Sequence, residues 1–473
     1  MLSEDIFFSP VTELGQKIRR HQLSPVELAE AYLARLESMG QKLNAVATIT
    51  RELALEQARA AEQEIAAGKY RGPLHGIPYG AKDLLATRGI RTTWGAKPYE
   101  DQVFDFDGTV IRRLRHAGAV LVAKLAMVEL AGGGGYRYAA ASLTGPGKNP
   151  WNPGHWTGGS SSGSGAAVAA GLVAFAIGSE TWGSIVNPSS FCGVTGMRPT
   201  YGRVSRHGAM PLSWTMDKLG PIGRTAVDCG LVLAAIAGPD PQDASSVPQS
   251  FSPATETRPA GPWLAATGSG RVGVIREDFS KHGDPEVGAA FGEALKVLEA
   301  SGARLADAKL PDFPYGAVAD LIISAEGASV FRPLIESGKI YELNDPLQPA
   351  GLYAGLKISA ADYLKAMRIR ARMQIELNKL FERFDLLVAP SEMKTSPTLE
   401  ADLEKYFSGG GGEIGAAGNL AGWPCVSVPM GFGKNHLPVG LQIVGRAFDE
   451  ASVIALAAAY QKKTDWHRQR PPH

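Results

Sequence analysis

With 473 residues, 44 % of them hydrophobic and 20 % charged, the chain has globular composition and is long enough to bury a large core. Its 48 basic and 47 acidic side chains leave a formal net charge of +1, a balance that argues against a nucleic-acid or membrane-surface partner. The start, MLSEDIFFSP, lacks the basic head and apolar run of a signal peptide, and no stretch approaches about 18 uninterrupted apolar residues, so the sequence reads as soluble and cytoplasmic.

Residues 1–70 form a helical lead-in. From Ser24 to Gly68 the apolar positions recur with helical spacing, with Ser24 as N-cap and Pro25 at the first helical position. After Gly72 the character changes to short apolar runs between Gly and Pro. GAVLVAKL (118–125), RVGVIR (271–276), FDLLVAP (384–390) and PCVSVPM (424–430) read as buried strands with helical stretches between them. The expected fold class is α/β, a mixed β-sheet covered on both sides by helices. Residues 238–270, rich in Pro, Ser, Ala and Gly, read as a surface connection. Gly409–Gly412 reads as an ordinary surface turn or a lip beside a strand. Cys192, Cys229 and Cys425 lie far apart, which suits a reducing compartment and buried small hydrophobes. With no CxxC and no HExxH, neither a metal nor another cofactor is expected.

The chemistry concentrates in WTGGSSSGSGAAVAAG (156–171), whose eight consecutive Gly and Ser residues, 158–165, turn abruptly into small apolar ones. A linker would stay polar for longer and join regions that ignore each other. Here AAVAAGLVAFAIG follows and reads as one helix in the interior. A Gly/Ser loop at a buried helix N-terminus offers N–H groups and hydroxyls beside a positive helix end, a place for negative charge. A second loop of like composition, GSETWGSIVNPSS (178–190), comes next, and 24 positions separate Ser160 from Ser184. Serine needs a base, and neither loop holds a histidine. Upstream, LHGIPYGAKDLLAT (74–87) offers Lys82 among small and apolar neighbours, where a desolvated lysine would serve as a neutral base. A lysine on a surface turn is the plainer reading of that stretch alone.

The block GGSSSGSGAAVAAGLVAFAIGSETWGSIVNPSSFCGVTGMRPT (158–200) resembles the amidase signature family. HGIPYGAKD (75–83), GKNPWNP (147–153), YGRVSRHGAM (201–210), DKLGPIGRTAVD (217–228), NLAGWPCVSVPMGF (419–432) and LPVGLQIVGRAFDEASVIALA (437–457) resemble family segments in family order, and this near full-length coverage implies one large domain over 1–473, with 75–230 as its catalytic core and 271–473 as the remainder of the α/β core. The resemblance implies a Ser, cis-Ser, Lys triad: Ser184 as nucleophile, Ser160 as the bridging serine after a cis peptide, and Lys82 as base. It implies an oxyanion hole from the backbone N–H groups of Thr181, Trp182, Gly183 and Ser184. It also places Gly133, Gly134, Gly135 and Tyr136 near the acyl channel; those glycines also fit a simple turn. Three positions depart from the family pattern: Trp182 and Ser162 where glycine is common, and Val186 where arginine is common. These put substrate range in doubt more than reaction type. Trp182 reads equally as core packing or as pocket wall.

The expected activity is hydrolysis of a small-molecule amide, with esters and carbamates also open, through an acyl-enzyme on Ser184. One alternative is the A-type component of a glutamine-dependent aminoacyl-tRNA amidotransferase, and the altered loop favours the free-standing amidase over it. Another is a serine hydrolase of the G-x-S-x-G kind with Ser161 as nucleophile, which lacks the preceding strand that motif needs. A binding protein that kept the fold without catalysis is a third, opposed by the joint presence of Lys82, Ser160 and Ser184. The sequence leaves the acyl group, the amine and the oligomeric state open.

Overall fold

The structure, a computed structural model, describes residues 2–249, 251–252, 270–276, 279–408 and 412–472. Most of the expected surface connection 238–270, and Gly409–Gly411 of the glycine run, lie outside the described residues.

In chain order the strands are β1 (Val46–Ile49), β2 (Pro78–Lys82), β3 (Val120–Leu125), β4 (Lys148–Asn149), β5 (Asn152–Trp156), β6 (Phe175–Glu180), β7 (Thr195–Arg198), β8 (Lys218–Gly223), β9 (Arg271–Ile275), β10 (Arg304–Ala308), β11 (Leu386–Pro390), β12 (Cys425–Phe432) and β13 (Pro438–Gly445). Eleven of them build one mixed sheet in the order β1-β3-β2-β6-β8-β7-β12-β13-β11-β9-β10, while β4 and β5 pair by themselves. The four apolar runs expected as strands are β3, β9, β11 and β12. Every residue of β2, β3, β6, β8, β11 and β13 is buried, which is why their sequences carry no polar alternation. Helices Pro25–Arg35, Arg51–Ala66 and Ser162–Ala169 pack with β3 into one apolar cluster; helices Tyr315–Val330, Ala360–Asn378 and Glu413–Ala421 pack against β11 and β12 in another. The chain is a single α/β domain, a large mixed sheet flanked by helices.

The helical lead-in begins as its caps direct: Ser24 Oγ accepts from the N–H groups of Val26 and Glu27, with Pro25 at the first position. Between its helices lies β1, a short edge strand antiparallel to β3 that no apolar run signals. The long interior helix expected after the Gly/Ser run is shorter than its sequence suggested. It spans only Ser162–Ala169, and Gly171, at φ +65°, closes it: Leu172 N–H donates to Ala167 O at 2.8 Å, and the chain then enters β6. The second loop is likewise shorter, since 178–180 finish β6 and Val186–Cys192 is helical, leaving Thr181–Ile185 as the connection.

Candidate active site

β2 and β6 are parallel neighbours, with Ala81 opposite Ile177, so Lys82 and Glu180 finish their strands at the same edge of the sheet. The short helix and the turn at Gly171 return the chain between Ser160 and Phe175 to that edge, bringing both Gly/Ser segments to the end of β2. The fit is close. A Cβ on Gly163 would stand 2.3 Å from Ala45 O and 2.5 Å from Ala126 N, so only glycine lets the helix start pack against the end of β3.

Lys82 is fully buried. Its Nζ lies within hydrogen-bond distance of Ser160 Oγ at 2.7 Å, Ser179 Oγ at 2.9 Å and Ser161 Oγ at 3.0 Å. The Gly159–Ser160 peptide is cis. Burial pushes the Lys82 amine down to about 7, only partly opposed by Asp217 and Glu180. A neutral amine has two N–H groups and one lone pair. Three hydroxyls around Nζ satisfy it when two accept and one, most simply the closest, donates. Ser161, which heads the short helix, also donates to Ser179 O at 3.2 Å and accepts from Ser179 N at 3.3 Å, so its hydroxyl is committed to tying the two segments together.

Ser184 is buried, and its hydroxyl makes no hydrogen bond among the described residues. The loop that carries it is held by Glu180. One oxygen of that carboxylate accepts from Ile185 N at 2.8 Å and Val186 N at 3.0 Å; the other accepts from Arg198 Nη1 and Asn419 Nδ2, both at 2.9 Å. Burial alone would raise the Glu180 pKa, but the Arg198 guanidinium overrides it and holds the carboxyl at about 2. With Ile185 and Val186 bonded to Glu180, the N–H groups of Trp182, Gly183 and Ser184 take no backbone partner among the described residues.

Beside these segments opens a cavity of about 270 Å³. Its lining takes Gly159, Trp182 and Gly183 from the two Gly/Ser segments and Glu392, Lys394, Tyr406 and Phe407 from the chain after β11. Trp182 is 37 % exposed, and its Nε1 stands 3.5 Å from a Cβ built on Gly415, so the side chain is part of the cavity wall and not of the core. Of the four residues 133–136, only Tyr136 lines the cavity. The glycines turn elsewhere: Gly133 O accepts from Gln348 Nε2 at 2.9 Å, and Gly134 lies against Gln348 O and Leu352. Val186 is buried at the cavity edge, and Ser162 is buried with Oγ 3.4 Å from Ala126 O.

Sequence reasoning did not single out Glu180, Arg198, Asn187, Glu392 or His282. Glu180 had a signal, a lone acid in a run of small residues. Asn187 Oδ1 accepts from Gly159 N at 3.0 Å while its Nδ2 donates to Glu392 Oε1 at 2.9 Å. Cys192, Cys229 and Cys425 are all buried and unpaired. No cluster of metal-ligating side chains occurs among the described residues, and none of their helices is long and apolar enough to cross a membrane.

A family model described as Amidase matches residues 27–454. The A component of the glutamyl-tRNA(Gln) amidotransferase of Moorella thermoacetica is 38 % identical, with 99 % of each chain covered. The protein of that name from Thermosynechococcus vestitus is 36 % identical over 98 % of this chain and 99 % of its own. Among solved structures, a peptide amidase in complex with the competitive inhibitor chymostatin is similar with a TM-score of 0.84 and 30 % identity, covering 98 % of this chain and 99 % of its own. The A component of the glutamyl-tRNA(Gln) amidotransferase of Thermotoga maritima is similar with a TM-score of 0.79 and 29 % identity, over 100 % of this chain and 98 % of its own. The chain thus belongs to the amidase family, the enzymes that cleave amide carbon–nitrogen bonds.

Proposed function

We propose that the chain cleaves its amide through an acyl-enzyme on Ser184, with Ser160 and Lys82 as the proton relay. The observation that carries this reading is the buried Lys82 amine, brought to about 7 and 2.7 Å from the Ser160 hydroxyl, next to a cavity. As Ser184 Oγ attacks the carbonyl carbon, its proton passes to Ser160 Oγ, and the Ser160 proton passes to the Lys82 lone pair. The oxyanion takes hydrogen bonds from N–H groups in Thr181–Ser184, each worth about 3 kcal/mol in the transition state. The C–N bond then breaks, and the proton returns from Lys82 through Ser160 to the departing nitrogen. Water attacks the ester by the same relay and releases the acid.

Two substrate readings follow. Full-length similarity to the A component of glutamyl-tRNA(Gln) amidotransferases favours a glutamine-cleaving protein that passes ammonia to a partner. It supports that alternative more than the free-standing small-molecule amidase expected from the altered loop. The second reading rests on Trp182, whose indole narrows the cavity beside the expected oxyanion hole. Both are compatible with a cytoplasmic enzyme. The test is turnover by the purified chain alone on a panel of amides, esters and carbamates, with glutamine included, and intact-mass detection of the acyl-enzyme. Hydrolysis of several simple amides without a partner supports the second reading. Activity on glutamine that appears only with a partner fraction supports the first, and a label on Ser161 overturns the shared mechanism.

A further inference from the structure

Glu392, just past β11, lines the cavity and keeps part of its surface open to it. Asn187 Nδ2 donates to its Oε1; among the described residues Glu392 has no other hydrogen bond and no ion pair, which leaves Oε2 for a ligand. The two cations that line the same cavity make no ion pair with Glu392 among the described residues, although Arg198 Nη2 has no hydrogen-bond partner of its own. Arg198 pairs with Glu180 at 2.9 Å, and the Lys394 ammonium donates to Tyr406 O at 2.7 Å and lies 5.1 Å from the Tyr406 ring centroid. His282, Tyr136 and Tyr406 also face the cavity. The charge that acts on Glu392 is Glu180, of like sign, and burial together with that neighbour raises the Glu392 carboxyl to about 7. A desolvated carboxyl without a cation is costly, and a ligand that supplies the cation recovers that cost. The same cavity is lined by Tyr136, Trp156, Trp182, Tyr406 and Phe407, aromatic rings of the kind that attract an ammonium through their faces.

We propose that Glu392 is a specificity residue that selects amides bearing a protonated amine near the scissile carbonyl, the ammonium seated against its Oε2 and the aromatic wall. This rests on the amide-cleaving reading above and names the class of substrate. An alcohol or amide N–H on the substrate would meet the same oxygen without the charge, and an acidic substituent would be repelled by it.

The test compares p-nitroanilides that differ only in charge: alanyl against isobutyryl, 4-aminobutyryl against pentanoyl, with the succinic half-acid as anion. At least one ammonium member should exceed its methyl isostere in kcat/KM by about tenfold or more, and Glu392→Gln should bring that ratio close to one, chiefly through KM. Wild-type ratios near one, or preference for the half-acid, overturn the proposal while turnover of pentanoyl anilide leaves the amidase reading standing. Where no anilide is turned over, calorimetry of alaninamide and 4-aminobutyramide against isobutyramide and pentanamide on Ser184→Ala decides the same question. Equal binding of charged and neutral members there overturns it as well. Both wild-type turnover and Ser184→Ala binding stand whether or not Glu392→Gln folds.

Discussion

The two sides of the cavity are made differently. On the side of Lys82, the groups are small, buried and bonded to one another, and they come from two stretches of chain, the end of β2 and the block 158–184. On the side of Glu392, the groups are large and partly open, and they come from the segment after β11 and from Tyr406, Phe407, Ser408, Gly412 and Gly415. Proton transfer needs fixed distances, and dense hydrogen bonding gives them; substrate choice needs shape and charge, which a wall of aromatic rings and one unpaired carboxyl can vary without moving the relay.

The most severe break is Ser184→Ala. It should lower turnover by at least about a thousandfold with an unchanged melting temperature, and a fluorophosphonate should label Ser184 and not Ser161, read by peptide mass spectrometry. A variant keeping a tenth of the activity would transfer the role to another serine.

Lys82 comes next. Lys82→Arg, whose side chain stays protonated, should cost at least about a hundredfold in kcat, and the wild-type rate should fall about tenfold per pH unit below about 7 as the amine is protonated. The sign carries over to stability. Lys82 in the fold has its pKa lowered from 10.5 to about 7, so between those values the unfolded chain holds a proton that the folded one lacks. Relative to Lys82→Met, wild-type stability should therefore rise with pH across that window, by about 1.4 kcal/mol per unit. Denaturant melts at pH 7.5 and 9.5 check it; a flat difference would mean the amine stays charged.

Trp182→Gly sharpens the contrast, since it alters the wall beside the relay and not the relay. The expected change is about tenfold in the ratio of kcat/KM for aryl over branched aliphatic amides, and equal scaling of both would return Trp182 to a supporting role. Smallest is Asn187→Ala, which removes one hydrogen bond from each side. Each is worth about 1 kcal/mol, so kcat and KM should both worsen by about fivefold, and a change in only one would show that the sides are not joined there.

The Gly/Ser run marks where backbones approach closely, but the roles given to Lys82, Ser160 and Ser184 come from the family resemblance, since the stretch around Lys82 by itself reads more plainly as a surface turn. The length of the helix after the run was not legible. AAVAAGLVAFAIG has no polar face to mark where helix gives way to strand, although Gly171 was the available stop. The edge strand β1 escaped for want of an apolar run, and the turn of Gly133–Gly135 toward Gln348 depends on a helix more than two hundred residues away. Glu392 and Asn187 were illegible for the same reason, since nothing local in SEMKTSP or SIVNPSS says that one side chain will meet the other.

Asn187 has a practical consequence. Its amide oxygen takes the Gly159 N–H and its amide nitrogen serves Glu392, so the side chain cannot be turned over without breaking both bonds. It is the seam between two separately mutable parts. A directed-evolution library that varies Trp182, Lys394, Tyr406 and Phe407 while holding Asn187 and Glu392 constant should therefore search new substrates without loosening Gly159, whereas a library that also randomises position 187 should mix lost chemistry with altered choice in its variant clones.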